Sequence, residues 1–214
     1  MMTAERGFAD LDSAGRRLAL ALASHRRTNP VVLAIANGGV PIAIPVADSL
    51  AAPLEVLVVR RLFIRDGSPV PICAVSIGGE LVLDEDSRPL SAIEEQFQEE
   101  ALAGLSRRAQ FLRRNLTVTN LGGQNVILVD NGIHTGSTMK TAVAALRKLQ
   151  PRTITVAVPV ADVAIRHGIE PVADEVVCLQ WCEQFGHTGL WYKNFNRPSD
   201  EQIRAWLSAI PAND

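Results

Sequence analysis

The chain has 214 residues, of which 47% are hydrophobic and 21% charged, and these proportions are ordinary for a globular protein. It carries 21 basic and 23 acidic residues, so its formal net charge of −2 gives no electrostatic reason to expect a nucleic-acid partner. The sequence has no apolar run of about 18 residues and no apolar signal segment at its start, so we expect a cytoplasmic protein without a membrane partner.

The first 60 residues alternate between helical and strand-like patterns. The predicted elements are, in order, a helix from near Asp12 or Ser13 to the break at Asn29-Pro30, a strand at 31–36, a helix ending near Leu50 and a strand at 55–59. Pro45 removes a hydrogen bond from the second helix, which we therefore expect to start late or to bend. This alternation favours a doubly wound parallel sheet.

The middle of the chain departs from that alternation. Residues 72–77 and 81–83 are predicted to pair as a hairpin across Gly78-Gly79. A long helix is predicted from about Ser91 to Arg114, because apolar residues recur along it at helical spacing. Arg107, Arg108, Arg113 and Arg114 lie on or near this helix, either as its solvated side or as a basic face beside a phosphate site.

The last 90 or so residues return to the α/β alternation. We predict strands at 126–130, 153–158 and 175–179, with a helix at 137–149 after the first of them. The predicted fold class is therefore α/β, with a doubly wound parallel sheet of about five strands. We expect a single domain over residues 1–214, with residues from about 62 to about 120 forming a hairpin and long-helix insertion.

The sequence VILVDNGIHTGSTM at residues 126–139 is the most informative stretch. An apolar strand buried on both faces runs into an acid, then into a turn rich in glycine and hydroxyl residues, then into an amphipathic helix. Such a loop presents backbone N–H groups and a helix N-terminus above the sheet edge. This combination is typical of a phosphate-binding site.

This stretch resembles the 5-phosphoribosyl-1-pyrophosphate (PRPP) binding signature of type I phosphoribosyltransferases, in which a hydrophobic strand is followed by two acids, a few variable residues and Thr-Gly. The resemblance implies that Asp130 hydrogen-bonds the ribose hydroxyls of PRPP. Asn131 departs from the signature, because a second acid normally stands there and an amide carries no charge. His134 is either a contact to the incoming acceptor or a loop histidine bonded to backbone or water.

The resemblance also assigns the two phosphate groups of PRPP to two loops. The 5′-phosphate is expected at Thr135, Gly136, Ser137 and Thr138. The pyrophosphate is expected at Asn37, Gly38 and Gly39, with charge supplied by Arg60 and Arg61 at the end of the next strand. Relatives often carry Arg where this chain has Asn37, so one positive charge is missing from that loop.

Family members hold the acceptor base in a small hood subdomain built partly from the C-terminal segment, here about residues 180–214. Aromatic rings are concentrated in that segment, and an aromatic ring stacks on any planar base. The candidates for stacking are Trp181, Phe185, Trp191 and Tyr192. We expect most of them to form a local core and one to stack on the base.

The resemblance implies a phosphoribosyltransferase of nucleotide metabolism that uses Mg²⁺, releases pyrophosphate from PRPP and joins the phosphoribosyl group to a nitrogen nucleophile, with a nucleobase as the expected acceptor. Mg²⁺ would bind through the substrate, with Asp130 as the one candidate protein contact, and the three cysteines form no zinc pattern. Because relatives are often dimers, a homodimer is one expectation. The alternative is a non-catalytic PRPP or nucleotide sensor, which the uncharged Asn37 and Asn131 favour.

Overall fold

A computed structural model describes residues 7–63, 69–77, 80–85, 92–113 and 120–209. Its helices are α1 (Leu11–Ala21), α2 (Gly39–Leu50), α3 (Ala92–Arg113), α4 (Ser137–Lys148), α5 (Arg166–Ile169) and α6 (Asp200–Ala209). Its strands are β1 (Val31–Ile35), β2 (Leu54–Phe63), β3 (Pro69–Ile77), β4 (Glu80–Glu85), β5 (Asn125–Val129), β6 (Thr153–Asp162) and β7 (Glu175–Cys182). The predicted Gly78-Gly79 turn and Arg114 lie outside the described residues.

These strands form one sheet in the order β4-β3-β2-β1-β5-β6-β7. The five strands from β2 to β7 in that order are parallel, which confirms the predicted doubly wound α/β sheet of about five strands. β3 pairs antiparallel with both β2 and β4. Its pairing with β4 runs from Ile72 opposite Glu85 to Ile77 opposite Glu80, so the predicted hairpin is confirmed as well. The sheet therefore carries its parallel strands in the centre and at one side, and the hairpin at the other.

Successive residues of β5 pack on opposite faces of the sheet. Ile127 belongs to the core that α1, α2, α3 and α6 cover, whereas Leu128 belongs to the core beneath α4 and α5. The period-two alternation of side chains along a strand explains why a strand covered on both faces is apolar throughout. The uninterrupted apolar runs of β1 and β5 thus follow from their central place in the sheet.

α1 crosses α2 at a glycine. Asp10 caps α1, since its side chain accepts a hydrogen bond from the Ser13 N–H, and the helix begins at Leu11, close to its predicted start. A Cβ at Gly15 would lie 2.5 Å from the Ile42 carbonyl oxygen and 2.6 Å from Cγ of Pro45. Pro45 is buried at this crossing inside α2, which runs from Gly39 to Leu50, so of the two expected alternatives the late start is wrong.

α3 is close to its predicted extent, and its buried residues Leu105, Ala109 and Leu112 are among the apolar residues that recur along it at helical spacing. Those three side chains share a hydrophobic core with α6. Within the described residues, no helix is both long and apolar enough to cross a membrane.

The structure also differs from the sequence-based elements at their ends. β2, β6 and β7 each continue three or four residues beyond the predicted ends at 59, 158 and 179, because their extensions find partners in β3 or in each other. α6 was not predicted at all, although it carries a recognisable start signal. The Gln202 N–H donates to Ser199 Oγ and the Ser199 N–H donates to the Gln202 side chain, which is a reciprocal cap.

The close crossing at Gly15 predicts an unusual response to alanine. Alanine normally favours a helix over glycine by about 1 kcal/mol, but here its methyl group would overlap backbone atoms of α2. We expect Gly15→Ala to lower the free energy of unfolding by about 1–3 kcal/mol, as measured by urea denaturation. Gly122→Ala is the control, since its Cβ would meet the end of the Asn120 side chain at 3.2 Å and the Leu149 carbonyl oxygen at an ordinary contact distance of 3.8 Å. A stabilised Gly15→Ala protein would contradict this packing.

Candidate active site at the ends of β1 and β5

Two loops meet above neighbouring parallel strands. β1 pairs with β5 as far as Ala34 opposite Val129, so the loops that follow them begin at the same sheet edge. A Cβ at Gly39 would lie 2.6 Å from the Val129 carbonyl oxygen, and a Cβ at Gly38 would overlap the Asn131 side-chain amide. Only glycine leaves room for this approach. The first loop, residues 36–38, and the second loop, residues 130–136, therefore form one cradle. It lies at the edge where open α/β sheets bind ligands.

The first loop ends in the N-terminus of α2. The Ala36–Asn37 peptide bond is cis, and Gly38 stands at the helix N-cap, where no side-chain cap is formed. Backbone N–H groups in the first turn of a helix have no intrahelical partner. The start of α2 can therefore donate hydrogen bonds to an anion held in the cradle.

Asn37 is bonded to residues from two other helices. Its Nδ2 donates to the Pro198 carbonyl and to Asp200 Oδ1, each over 3.3 Å, and its Oδ1 accepts from Nη2 of Arg108. Arg108 also forms a bidentate pair with Asp200, over 2.8 Å from both Nε and Nη2. This guanidinium holds the pKa of Asp200 below its ordinary value. The loop that lacks its own arginine thus has one from α3 beside it.

Asp130 directly follows β5 at the floor of the cradle. Its Oδ1 accepts a hydrogen bond of 2.7 Å from the Asn131 N–H. Burial raises the pKa of Asp130 to about 7, while the Asn131 N–H and the charge of Arg197 act in the opposite direction. Near neutral pH this carboxyl group is thus poised between its neutral and ionised forms. An ionised carboxylate there can accept two hydrogen bonds from a ligand.

Asn131 is buried, with 6% of its surface exposed, and its side chain packs against Gly38 of the first loop. Its backbone carbonyl accepts a 2.5 Å hydrogen bond from the hydroxyl of Tyr192. Tyr192 is itself buried against Phe8 and Phe195, with ring centroids 5.7 and 5.3 Å away. The residue at the second-acid position therefore joins the two loops to each other and to the C-terminal segment.

The next residues of the second loop are fastened to β6. The Ile133 N–H donates to the Val160 carbonyl over 3.0 Å, and Ile133 pairs with Ala161 as an isolated bridge. His134 follows and is exposed, with its ring stacked on that of Phe185 at a centroid distance of 5.5 Å. The contacts of Ile133 with β6 and the stacking on Phe185 hold the His134 ring at the surface.

The hydroxyl-rich part of the loop leads into α4. Gly136 adopts a φ of +76° at the helix N-cap, where glycine is favoured and where no side-chain cap is formed. Thr135 Oγ1 and Ser137 Oγ lie 3.2 Å apart, and Thr138 is partly exposed in the first turn. Free N–H groups, hydroxyls and a helix dipole thus converge here, which is the composition of a phosphate cradle.

The aromatic residues of the C-terminal segment mostly pack on one another. The Trp191 ring lies 6.0 Å from that of Phe185, and its Nε1 donates to the Phe185 carbonyl over 3.0 Å. Phe185 is fully buried behind His134. Trp181 lies within β7 with the Arg166 guanidinium 5.3 Å from its ring. In the part of the chain that is described, the exposed ring of this stack is therefore His134.

Arg60 and Arg61 were expected at the end of a strand, but β2 continues past them. They pair in register with Ala74 and Cys73 of β3. Their side chains lie outside what the structure describes. Sequence reasoning also missed Arg197 and Asp200, which approach the cradle from a segment distant in sequence. For Asp200, the reciprocal cap at the start of α6 was an available signal.

Asp130 contributes a carboxylate to the floor of the cradle. Among the residues that the structure describes, no three or more His, Cys, Asp or Glu side chains are grouped so as to hold a metal ion. A Mg²⁺ ion that keeps several waters and binds largely through substrate oxygens needs only one or two protein carboxylates. Asp130 is compatible with that mode of binding.

Residues 9–192 match the family model described as phosphoribosyl transferase domain. Two Mycobacterium tuberculosis proteins, from strains CDC 1551 / Oshkosh and ATCC 25618 / H37Rv, each bear the name "Putative phosphoribosyl transferase". Both are 37% identical over 204 residues, which cover 94% of this chain and 46% of theirs. The chain thus spans about half the length of the curated relatives that it matches.

Solved structures of similar fold include the crystal structure of the Thermus thermophilus protein TT1426. It is 32% identical, with a TM-score of 0.79 over 94% of this chain and 97% of that one. A hypothetical protein from Neisseria gonorrhoeae with bound ppGpp is 16% identical, with a TM-score of 0.50 over 93% of this chain and 92% of its own. At that identity the second likeness concerns the fold alone.

The raised pKa of Asp130 predicts a pH-dependent cost to stability. The folded chain binds this proton more tightly than the unfolded chain, so the contribution of Asp130 to stability should fall as the pH rises from about 4 to about 7 and then level off. Asn131 could still donate to an asparagine at position 130, which never ionises. We expect Asp130→Asn to stabilise the chain by on the order of 2–4 kcal/mol at pH 8 and by much less at pH 5.

Urea denaturation of both proteins from pH 5 to pH 8 measures this difference. Asp174→Asn is the matched control of opposite sign, since Arg147 lowers the pKa of Asp174. That variant should be destabilised equally at both pH values, because Asp174 stays ionised across the range. An Asp130→Asn effect that does not change with pH would contradict the raised pKa.

Proposed function

The chain belongs to the phosphoribosyl transferase domain family, and from that membership we propose that it binds PRPP in the cradle and transfers the 5-phosphoribosyl group to a nitrogen nucleophile. The observation that carries the proposal is the meeting of two glycine-containing loops above β1 and β5, each leading into a helix N-terminus. Two loops that could each bind a phosphate group, with the Asp130 carboxylate at the start of the second, would suit a sugar that bears a phosphate at one end and a diphosphate at the other.

Each part of the cradle would hold one part of PRPP. Residues 135–138 and the start of α4 would bind the 5′-phosphate, and residues 37–39 with the start of α2 would bind the pyrophosphate. Asp130, the first residue of the second loop, would accept hydrogen bonds from the ribose hydroxyls. Mg²⁺, when bound through substrate oxygens with Asp130 nearby, would neutralise charge on the diphosphate.

The reaction would be a substitution at the anomeric carbon of the ribose. The nitrogen lone pair forms the new C–N bond while the C–O bond to pyrophosphate breaks, and pyrophosphate leaves with that electron pair. The proton of the nitrogen nucleophile is released to solvent. The chain would contribute by positioning the reactants, stabilising the leaving group with backbone N–H groups and excluding water.

We further propose that a nucleobase acceptor is held at His134, beneath a hood formed by residues from about 180 onward. His134 is the exposed outer ring of the stack with Phe185 and Trp191. A rigid planar surface of this kind suits a flat heterocycle, and the imidazole nitrogens can also bond its edge. Phe185 and Trp191 would then act from behind, by fixing the orientation of His134.

A non-catalytic PRPP or nucleotide sensor remains the second candidate. The observation that favours it is the burial of the Asn131 side chain against Gly38, since an uncharged, buried group there adds no negative charge near the anomeric carbon. Loss of one charge-assisted hydrogen bond is worth about 1.5–3 kcal/mol, or roughly 10- to 100-fold in rate. Such a loss would leave binding intact.

The decisive experiment is pyrophosphate release from PRPP, followed by phosphorus NMR with and without Mg²⁺ across a panel of nucleobases. We expect release that depends on both Mg²⁺ and one class of base. Asp130→Asn should reduce it by about 10- to 100-fold. Asp162→Asn is the control. It changes a carboxylate at the end of the neighbouring strand β6 and should leave pyrophosphate release unchanged.

The outcomes separate the two candidates. Intact PRPP whose signals broaden in the presence of the protein would favour the sensor. Unbroadened PRPP at high protein concentration would overturn both proposals, because neither loop would then bind the ligand.

His134 gives a separate test of the acceptor position. Stacking on an aromatic ring is worth about 1–3 kcal/mol per base, so His134→Ala should raise the KM for the acceptor at least about fivefold with little change in the KM for PRPP. His134→Phe should restore much of this loss if the planar face matters. Replacing the exposed His167 of α5 by alanine is the control. Equal effects on both KM values would contradict an acceptor-specific role.

A further inference from the structure

Arg108 connects three parts of the chain that are far apart in sequence. It projects from α3, contacts Asn37 in the loop before α2 and forms a two-point ion pair with Asp200 at the start of α6. About a third of each charged side chain is exposed, 32% for Arg108 and 29% for Asp200. Both groups are therefore partly accessible to solvent and to a dissolved anion.

The carboxylate of Asp200 presents two oxygens to one guanidinium, and this is also how a phosphate group binds arginine. The partner of that guanidinium, Asn37, belongs to the loop whose following helix leaves its N-terminus without a side-chain cap. Arginine and the free N–H groups of α2 thus border the same loop. Together they form an anion-binding arrangement that the chain itself partly fills.

We propose that Arg108 binds the diphosphate of the ligand and that the Asp200 carboxylate pairs with the Arg108 guanidinium when no diphosphate is bound. This inference rests on the proposed function, since it assigns one further residue to the pyrophosphate end of that site. Diphosphate oxygens replace those of Asp200 on the guanidinium, and no covalent bond changes. The Asn37 side chain keeps the guanidinium beside the loop in both states.

The exchange is energetically accessible. Partly exposed ion pairs contribute little to stability, because each charge is well solvated when the pair is broken. A diphosphate carries several negative charges and can use both the guanidinium and the helix N-terminus, whereas Asp200 offers a single charge. We therefore expect the diphosphate to displace Asp200 from the Arg108 guanidinium.

Displacing Asp200 has a consequence beyond the site. Asp200 begins α6, and the neighbouring Pro198 carbonyl accepts a hydrogen bond from Asn37. Both contacts tie the C-terminal segment to the first loop in the ligand-free chain. Release of the Asp200 carboxylate would loosen that segment when the diphosphate enters and restore it when the diphosphate leaves.

The test is binding of inorganic pyrophosphate in the presence of MgCl₂, measured by titration calorimetry on the full chain. Four variants are compared, namely Arg108→Ala and Asp200→Asn with the controls Arg107→Ala and Glu201→Gln. Each control removes the same charge from an adjacent residue of the same helix, and both control side chains are exposed. Thermal melts establish that each variant is folded, and Arg108→Lys replaces Arg108→Ala if the latter is not.

Substituting Arg108 and substituting Asp200 are expected to change the affinity for pyrophosphate in opposite directions. Arg108→Ala should weaken pyrophosphate binding about tenfold or more, because a charged ligand-binding group is lost. Asp200→Asn should tighten binding about two- to fivefold, because the competing carboxylate is lost. The control variants should bind as the unaltered chain does.

Asp200→Asn binding more weakly than the unaltered chain would overturn the proposal, since Asp200 would then support Arg108 rather than compete for it. Unchanged affinity in Arg108→Ala would also overturn it while leaving the proposed function in place. If the unaltered chain binds neither pyrophosphate nor PRPP, the proposed function itself fails. The three failures are therefore distinguishable.

Discussion

The close approach of two loops at Gly38 and Asn131 is the constraint on which the rest of the site depends. Parallel pairing of β1 with β5 brings the loops to the same edge, but pairing alone would leave a gap between them. The gap closes because a residue without a side chain faces a buried amide. Each loop leads into a helix N-terminus, that of α2 or that of α4, and Asp130 begins the second loop directly after β5.

Asn131 makes two structural contacts in this arrangement, one through its side chain and one through its backbone carbonyl. Its side chain contacts the first loop, while its backbone carbonyl accepts the hydroxyl of Tyr192. The buried rings of Phe8 and Phe195 hold Tyr192 in turn. The C-terminal segment is thereby attached to the floor of the cradle, although more than 50 residues separate it from Asn131 in the sequence.

Charge is distributed unevenly around the cradle. Ionisation of the Asp130 carboxyl group is unfavourable, because burial raises its pKa to about 7. The Asn131 N–H and the charge of Arg197 lower that pKa only in part. The arginine of the first loop comes from α3 and already has a carboxylate partner. A cation bound beside Asp130 would offset this carboxylate charge, which the chain leaves poorly compensated.

The sequence by itself determined the alternation of buried strands and amphipathic helices, the hairpin, and the two glycine-containing loops. These features depend on local periodicity and turn chemistry, which neighbouring residues specify. It also identified Asp130 and the 135–138 loop as candidates, because they follow directly from a strand that is apolar on both faces. Only the tertiary structure decided that Asn131 is buried against Gly38, that Tyr192 lies in a core, and that Arg108 and Asp200 meet at Asn37. These contacts join residues from 60 to more than 160 positions apart, and no local pattern encodes which distant side chains the folded sheet brings together.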